Sequence, residues 1–75
     1  MFDKKLFCER LKAARKGRNL TLEQLGSQLD VTKQTVSRWE KGERYPALDV
    51  LYTIAEVLDI PSDYLLGLSN DPKRH

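Results

Sequence analysis

One stretch decides the fold of this chain: Thr32-Lys33-Gln34-Thr35-Val36-Ser37-Arg38-Trp39-Glu40-Lys41-Gly42. It predicts one short helix with a defined beginning and end. Thr32 is a good N-cap residue, because its hydroxyl can accept a hydrogen bond from a backbone N–H of the first turn. Gly42 is a good C′ residue, because glycine readily adopts the left-handed conformation that ends a helix. The stretch therefore predicts a helix over residues 32–41.

A helical wheel divides this helix into an apolar side and a polar side, since each residue lies about 100° further round the axis than the last. Val36 and Trp39 fall on the apolar side. The opposite side carries Lys33, Gln34, Ser37, Arg38 and Lys41. Arginine and lysine can donate to guanine, and glutamine can bond bidentately to adenine. This side fits the base edges of a DNA major groove, although a solvated basic face is the commoner meaning of such a pattern.

Length and composition limit the chain to one small domain. Its 75 residues are 40% hydrophobic and 32% charged, which is typical of a globular domain. No apolar run approaches the ~20 residues of a membrane span, and no apolar segment of a signal peptide follows the N-terminus. The single Cys8 cannot form an internal disulfide, so we expect a cytoplasmic protein and assign this residue to packing.

The net charge of +2 is unevenly distributed. Residues 1–44 contain eleven Lys or Arg and six Asp or Glu, a net charge of +5. Residues 45–75 contain two and five, a net charge of −3. A polyanion would be attracted to the first part, which carries the basic helix. Chance asymmetry is common in small chains, so this distribution only supports a nucleic-acid partner.

Two helices are predicted before the basic helix. Asp3 can cap the first, over residues 3–16, and Gly17 occupies the position of a C′ glycine. The inward side chains of this first helix are Phe7, Leu11 and Ala14.

The second helix is predicted over residues 21–29, and it opens with a capping box formed by Thr21 and Gln24. Gly26 lies in its interior, which indicates the close approach of another helix, expected to be the basic one. Asp30 occupies a turn position that often requires a left-handed backbone, which Asp tolerates.

The middle of the chain thus predicts two helices joined by a short turn, the second with a basic outer side, which is the helix-turn-helix arrangement. Residues 20–26, residues 31–42, and Pro46 with the apolar residues that follow it carry a resemblance to a known family. They resemble the phage-repressor-like helix-turn-helix domain of the Cro and xenobiotic-response-element type. The resemblance covers residues 6–67.

The resemblance implies an all-α fold: a compact, lambda-repressor-like DNA-binding domain of five helices that binds operator DNA as a homodimer. The last two helices are expected over residues 47–59 and 62–66. The apolar stripe of the fourth helix is Leu48, Leu51, Ile54, Ala55 and Leu58. We expect the domain to occupy residues 1–68 and a flexible tail to occupy residues 69–75.

The resemblance also assigns roles to particular residues. The expected base contacts are Lys33, Gln34, Ser37 and Arg38, the same four that the wheel places outward. The positions of polar side chains beside the basic helix, rather than the resemblance, give the expected phosphate contacts: Thr21, Gln24, Thr32, Thr35, Lys41, Arg44 and Tyr45. Covering the core is an equal alternative for Tyr45. A structural ion pair is implied between Arg15 and Glu40. The expected dimer contacts are Leu65, Leu66 and Leu68.

The sequence departs from the family pattern at three positions. Many members carry a Gln that can reach a phosphate at the position of Leu22. Leucine cannot make that hydrogen bond, so this chain lacks one of the family's phosphate contacts. Gly26 stands where Ala is usual, and Asp30 stands where Gly is usual. We expect these two differences to affect stability more than function.

No Gly-rich phosphate loop, Cys/His metal cluster or Ser/His/Asp set is present, because the only His is residue 75. We therefore expect neither an enzyme nor a cofactor or metal. The preferred hypothesis is a sequence-specific double-stranded DNA-binding transcriptional regulator, a homodimeric repressor on a two-fold operator, associated with the nucleoid. The alternative is a protein-interaction module on the same fold, such as an antitoxin or a transcriptional bridging factor.

Overall fold

The computed structural model describes residues 1–73, and within them the chain forms five α-helices and no strand. The helices are α1 (Lys4–Gly17), α2 (Leu22–Leu29), α3 (Lys33–Lys41), α4 (Leu48–Leu58) and α5 (Ser62–Leu66). This confirms the predicted all-α, five-helix fold. None of these helices is long and apolar enough to cross a bilayer. The last two residues of the expected tail, 74 and 75, lie outside the described residues.

The first three helices begin at the predicted caps. The Asp3 carboxylate accepts a hydrogen bond from the backbone N–H of the first turn of α1. In α2, the Gln24 backbone N–H donates to the Thr21 hydroxyl at 3.0 Å, and the Thr21 backbone N–H donates to the Gln24 side chain at 2.9 Å. The Thr32 hydroxyl accepts from the backbone N–H of Thr35 at 3.2 Å. These bonds satisfy donors that a helix start otherwise leaves unpaired.

The ends of α2 and α3 also follow the prediction, since Asp30 and Gly42 have φ values of 58° and 76°. The predicted end of α1 is wrong, because the helix includes Gly17 and the left-handed residue is Asn19, with φ 59°. The N–H of Leu20 donates to the carbonyl of Arg15 at 3.2 Å, and this bond closes the turn at the asparagine. Asn tolerates this conformation well.

The hydrophobic core receives side chains from all five helices and from the α4–α5 connection. Its buried members are Phe7, Leu11, Leu25, Val36, Trp39, Ile54, Leu58, Ile60 and Leu65. The predicted stripe of α4 is wrong at its first residue, since Leu48 is 83% exposed. The buried residues of α4 all lie in its second half, so its first turn extends past the core.

The residues after α5 are hydrogen-bonded to α1. Arg10 on α1 donates from Nη1 to the carbonyls of Tyr64 at 2.6 Å and Ser69 at 2.7 Å, and from Nη2 to the side chain of Asn70 at 2.9 Å. Its guanidinium also stacks over the Tyr64 ring, 4.0 Å from the centroid. Hydrogen bonds from α1 thus reach the first two residues of the expected tail, and the domain boundary at residue 68 stays a prediction.

Gly26 marks the closest approach between α2 and the turn that leads into α3. A Cβ atom built on this residue would lie 2.7 Å from the carbonyl oxygen of Val31 and 3.2 Å from the carbonyl carbon of Thr32. The neighbour is thus the turn backbone, where the sequence predicted α3 itself. The N–H of Val31 donates to the Gly26 carbonyl at 2.8 Å, so a side chain here would disturb the bond that sets the turn.

We predict that Gly26→Ala destabilises the domain by about 1–3 kcal/mol, the usual range for overpacking, because the backbone carbonyl would have to move. Gly17→Ala is the matched control. It also adds one methyl group in a helix, but no atom lies within 4 Å of the new Cβ. This control should stabilise the domain by about 0.5–1 kcal/mol. Urea unfolding followed by circular dichroism measures both, and shifts in the same direction would contradict the steric argument.

Candidate nucleic-acid interface

The apolar side of α3 fixes the helix in the core and leaves its polar side to solvent. Val36 is fully buried and Trp39 is 4% exposed. Lys33, Gln34 and Arg38 are exposed, and Ser37 is half-buried. These four residues are spaced i, i+1, i+4 and i+5, so they share one helix face. The structure thus brings the four predicted base-contacting residues together on a rigid element.

The cationic groups of α3 are available to a ligand. Within residues 1–73, the two ion pairs are Arg15 with Glu40 and Arg18 with Asp59, and neither includes Lys33, Arg38 or Lys41. No hydrogen bond within these residues uses the side-chain nitrogens of the three cations or of Gln34. Their donors can therefore bind base or phosphate acceptors without breaking a bond within residues 1–73.

The capping box of α2 orients two of the predicted phosphate contacts. The Thr21 hydroxyl oxygen and the Gln24 side-chain oxygen both accept backbone bonds. These bonds leave the hydroxyl proton of Thr21 and the amide N–H groups of Gln24 as donors. Both residues line one shallow groove with Lys33. Thr21 and Gln24 at the start of α2 and Lys33 at the start of α3 therefore line the same groove. The phosphates of one DNA strand could accept hydrogen bonds from all three side chains there.

Thr32 and Thr35 form a second polar pair at the start of α3. Their hydroxyl oxygens lie 3.0 Å apart, so one hydroxyl proton is shared between them. Thr32 is exposed and Thr35 is half-buried. The pair consequently supplies one remaining hydroxyl donor, with Thr32 the more accessible of the two.

The loop after α3 is held close to the helix. The backbone N–H groups of Glu43 and Arg44 both donate to the carbonyl of Arg38, at 2.9 Å and 3.4 Å. The Arg44 side chain is exposed beside the end of α3. Two backbone bonds thus fix the position from which this arginine reaches outward.

Tyr45 packs in an aromatic cluster that the sequence analysis did not find. Its ring lies edge-on to Phe2 and Phe7, with centroids 5.7 Å and 6.1 Å away. Phe7 is buried, and Tyr45 is 51% exposed. The ring therefore covers the core, which was the alternative to a phosphate contact, although its exposed half remains accessible. Phe2 was missed because one apolar residue before a helix carries no periodic signal.

Arg15 and Glu40 form a buried ion pair between α1 and the last turn of α3. The distances are 2.7 Å from Nε to Oε2 and 3.1 Å from Nη2 to Oε1, and the two side chains are 9% and 7% exposed. Arg15 Nη1 also donates to the carbonyl of Leu20 at 2.8 Å. The charges are thus fully hydrogen-bonded, as burial requires.

We predict that Arg15→Met or Glu40→Leu alone destabilises the domain by about 3–5 kcal/mol, because each leaves one buried charge without its partner. The double variant should recover most of that loss, since no unpaired charge remains. Urea unfolding of the four proteins gives the coupling free energy. Additive losses in the double variant would show that the pair is not coupled.

The predicted dimer contact is wrong for Leu65, which is fully buried in the core and has no surface to offer a second protomer. Leu66 is half-buried and Leu68 is 80% exposed. The first half of α4 adds two exposed apolar side chains, Leu48 at 83% and Tyr52 at 67%. A groove between α4 and α5 is lined by Leu48, Asp49, Leu51, Tyr52, Ser62 and Leu66. We call this groove and Leu68 the α4–α5 apolar surface.

Two helices joined by a tight turn, the second with a buried apolar side and an exposed basic side, define a helix-turn-helix domain. The profile of the HTH_3 helix-turn-helix family matches residues 11–65. The chain belongs to this family. The predicted resemblance to the phage-repressor-like domain is therefore confirmed.

Similar proteins include two bacterial regulators. The chain is 37% identical over 67 residues to the uncharacterized HTH-type transcriptional regulator YobD of Bacillus subtilis strain 168, covering 89% of this chain and 60% of that protein. It is 42% identical over 61 residues to the HTH-type transcriptional activator BcrR of Enterococcus faecalis, covering 81% of this chain and 30% of that protein. The chain thus spans less than two thirds of the length of these relatives.

Solved structures share the fold. The P22 c2 repressor, in a crystal structure with the synthetic operator 9T, is 33% identical, with a TM-score of 0.77 over 81% of this chain and 92% of that one. The solution structure of the P22 c2 repressor DNA-binding domain is 31% identical, also with a TM-score of 0.77, over 92% of this chain and 93% of that one.

Proposed function

We propose that this chain is a sequence-specific, double-stranded DNA-binding transcriptional regulator that places α3 in the major groove. One observation carries the proposal: Lys33, Gln34 and Arg38 are exposed and unpaired within residues 1–73, on the side of α3 opposite its buried anchors. Membership of the helix-turn-helix family supports it, and so does the similarity to a repressor that was crystallised on its operator.

The chemistry of each side chain suggests its role. Arg38 and Lys33 suit guanine, Gln34 suits adenine, and Ser37 contacts a base at close range. The remaining donors hold the phosphates on either side: Thr21, Gln24, Thr32, Thr35, Lys41, Arg44 and the exposed part of Tyr45. Phosphate contacts fix the register of α3, and base contacts supply the sequence preference.

We further propose a homodimer on a two-fold operator, with the α4–α5 apolar surface as its contact. A domain of this size has a marginal core, and exposed Leu48, Tyr52 and Leu68 offer additional apolar area to bury. A second copy is the fitting occupant, because two-fold symmetry places two α3 helices ~34 Å apart in successive major grooves. The surface uses α4 and α5, so dimerisation leaves α3 uncovered.

The proposed mode of regulation is repression in the cytoplasm, at a promoter whose occupation excludes polymerase. The P22 c2 structure supports repression, since that protein is named a repressor. BcrR is named an activator, so the same DNA-binding fold serves both outcomes. The position of the operator within the promoter then determines the sign of regulation.

Selection of binding sites from random duplex DNA tests the proposal. We expect a roughly palindromic site with half-sites about one helical turn apart. This site should bind at least ~10³ tighter than a scrambled duplex at the same salt concentration. Weak binding that is equal for all sequences and disappears with salt would contradict the proposal. The alternative of a protein-interaction module would then stand.

Arg38→Ala should weaken binding to the selected site by about 1–3 kcal/mol and relax the preference at one base-pair position of each half-site. The reason is that a bidentate contact to guanine discriminates between bases, whereas a phosphate contact does not. Lys16→Ala is a control, since it removes one exposed cation of α1 that lies outside the proposed contacts. Fluorescence anisotropy on a panel of single-base variants of the site is the measurement. A uniform loss across the panel would contradict base recognition by Arg38.

Leu48→Glu should weaken the homodimer by at least ~10-fold, because a carboxylate would have to be desolvated in an apolar contact. Sedimentation equilibrium measures dimerisation, and anisotropy on a single half-site measures DNA binding by the monomer. Half-site affinity should be retained. Ala13→Glu is the matched control, since Ala13 is exposed on α1. If both variants dimerise like the wild type, the α4–α5 apolar surface is not the interface.

A further inference from the structure

Two lysines and the cysteine between them form a row on α1 beside the last turn of α3. Lys4, Cys8 and Lys12 are spaced four residues apart, so they form one row along the helix. The thiol of Cys8 donates to the carbonyl of Trp39 at an Sγ–O distance of 3.4 Å. This contact shows that the row faces the end of α3.

The row forms one wall of a groove whose other wall is the end of α3. The lining residues are Lys4, Lys5, Cys8, Glu9, Lys12, Glu40 and Lys41. We call it the lysine groove. The Glu40 carboxylate is occupied by Arg15. Four lysines therefore line the groove together with one other carboxylate, that of Glu9, and none of the four lysines takes part in an ion pair within residues 1–73.

The lysine groove is continuous with the proposed phosphate-contacting surface. Lys41 belongs to both, and Arg44 follows two residues after Gly42. The aliphatic stem of Lys4 lies against Gly42, since a Cβ built there would be 3.1 Å from Lys4 Cδ and 3.3 Å from Cys8 Sγ. Packing of the stem holds the ammonium group near the start of the loop that carries Arg44. The lysine groove and the proposed phosphate contacts thus meet at Lys41, at the end of α3.

We propose that the lysine groove binds the sugar-phosphate backbone of the operator, on the far side of α3 from the start of α2. This inference rests on the proposed function. It adds Lys4 and Lys12, with Lys5 beside them, to the contacts derived above. Phosphates are the fitting ligand, because lysine contacts them as a point charge and needs no base-specific geometry. An acidic protein surface fits less well, since the centres of protein interfaces are depleted in lysine.

The proposed phosphate contacts lie at both ends of α3. Thr21 and Gln24 hold phosphates at the start of α3, and the lysine groove holds them at its end. A major groove has a phosphate backbone on each side, so α3 is clamped between two sets of contacts. Neither set distinguishes sequences, and both increase the dependence of affinity on salt concentration.

The test compares two double variants with the same net charge. Lys4→Gln/Lys12→Gln removes two groove lysines, and the matched control Lys16→Gln/Lys73→Gln removes two exposed lysines outside the groove. Anisotropy titrations use the selected duplex and a scrambled duplex between about 50 and 200 mM salt. Thermal unfolding followed by circular dichroism checks that both variants fold.

For the groove variant, the slope of log K against log salt should decrease in magnitude by about 1.8 per protomer, that is, about 0.9 for each lost phosphate contact. Affinity should fall by the same factor on both duplexes, so the ratio between them stays constant. The control should keep the wild-type slope. A groove variant that behaves like the control would overturn the inference while leaving the proposed function intact. A wild type that binds no duplex would overturn both.

Cys8 provides a second measurement that does not depend on changing any charge. Burial raises the pKa of its thiol, so alkylation by iodoacetamide is slow at neutral pH and increases in mildly alkaline buffer. A saturating duplex should slow alkylation several-fold, because the backbone would cover the groove that Cys8 lines. Salt sufficient to dissociate the complex should restore the rate. An unchanged rate in the saturated complex would overturn the inference.

Discussion

The buried ion pair between Arg15 and Glu40 determines how the recognition surface sits on the domain. Glu40 belongs to the last turn of α3, and Arg15 also binds the Leu20 carbonyl at the entry to α2. One guanidinium therefore joins α1, α3 and the connection that leads into α2. A desolvated bidentate pair adds a directional constraint to the apolar packing of Val36 and Trp39, because its two hydrogen bonds require one geometry. We infer that the pair fixes the angle at which α3 projects from the core.

Each end of α3 is defined by chemistry that is local in sequence. Thr32 caps its start, and Gly42 ends it in a left-handed conformation. Gly26 lets the preceding turn pack closely against α2, where the Val31 N–H donates to the Gly26 carbonyl. A surface supported in this way needs little reorganisation when a ligand binds, which preserves affinity.

How much the sequence predicts depends on whether a feature is local. The caps and the polar side of α3 follow from residues within one or two turns of each other, so their positions were predictable. The exposure of Leu48 and the burial of Leu65 depend on where neighbouring helices end; periodicity misplaced Leu48, and the family resemblance misplaced Leu65. The contact of Arg10 with Ser69 and the lysine groove join residues far apart in sequence. These features required the tertiary structure.

The distribution of charge and apolar surface gives the domain two separate faces. Cations lie along α3 at Lys33, Arg38 and Lys41 and continue with the α1 lysines of the lysine groove, so part of the positive charge of residues 1–44 lies on the proposed DNA-binding face. The α4–α5 apolar surface belongs to other helices. The proposed dimer contact and the proposed DNA contacts share no residue, so dimerisation through α4 and α5 would leave the cationic face accessible. A second copy would double the cationic surface presented to one duplex. The two cationic faces would then bind the same duplex together, so the affinity of the dimer would exceed that of one protomer and would depend more steeply on salt concentration.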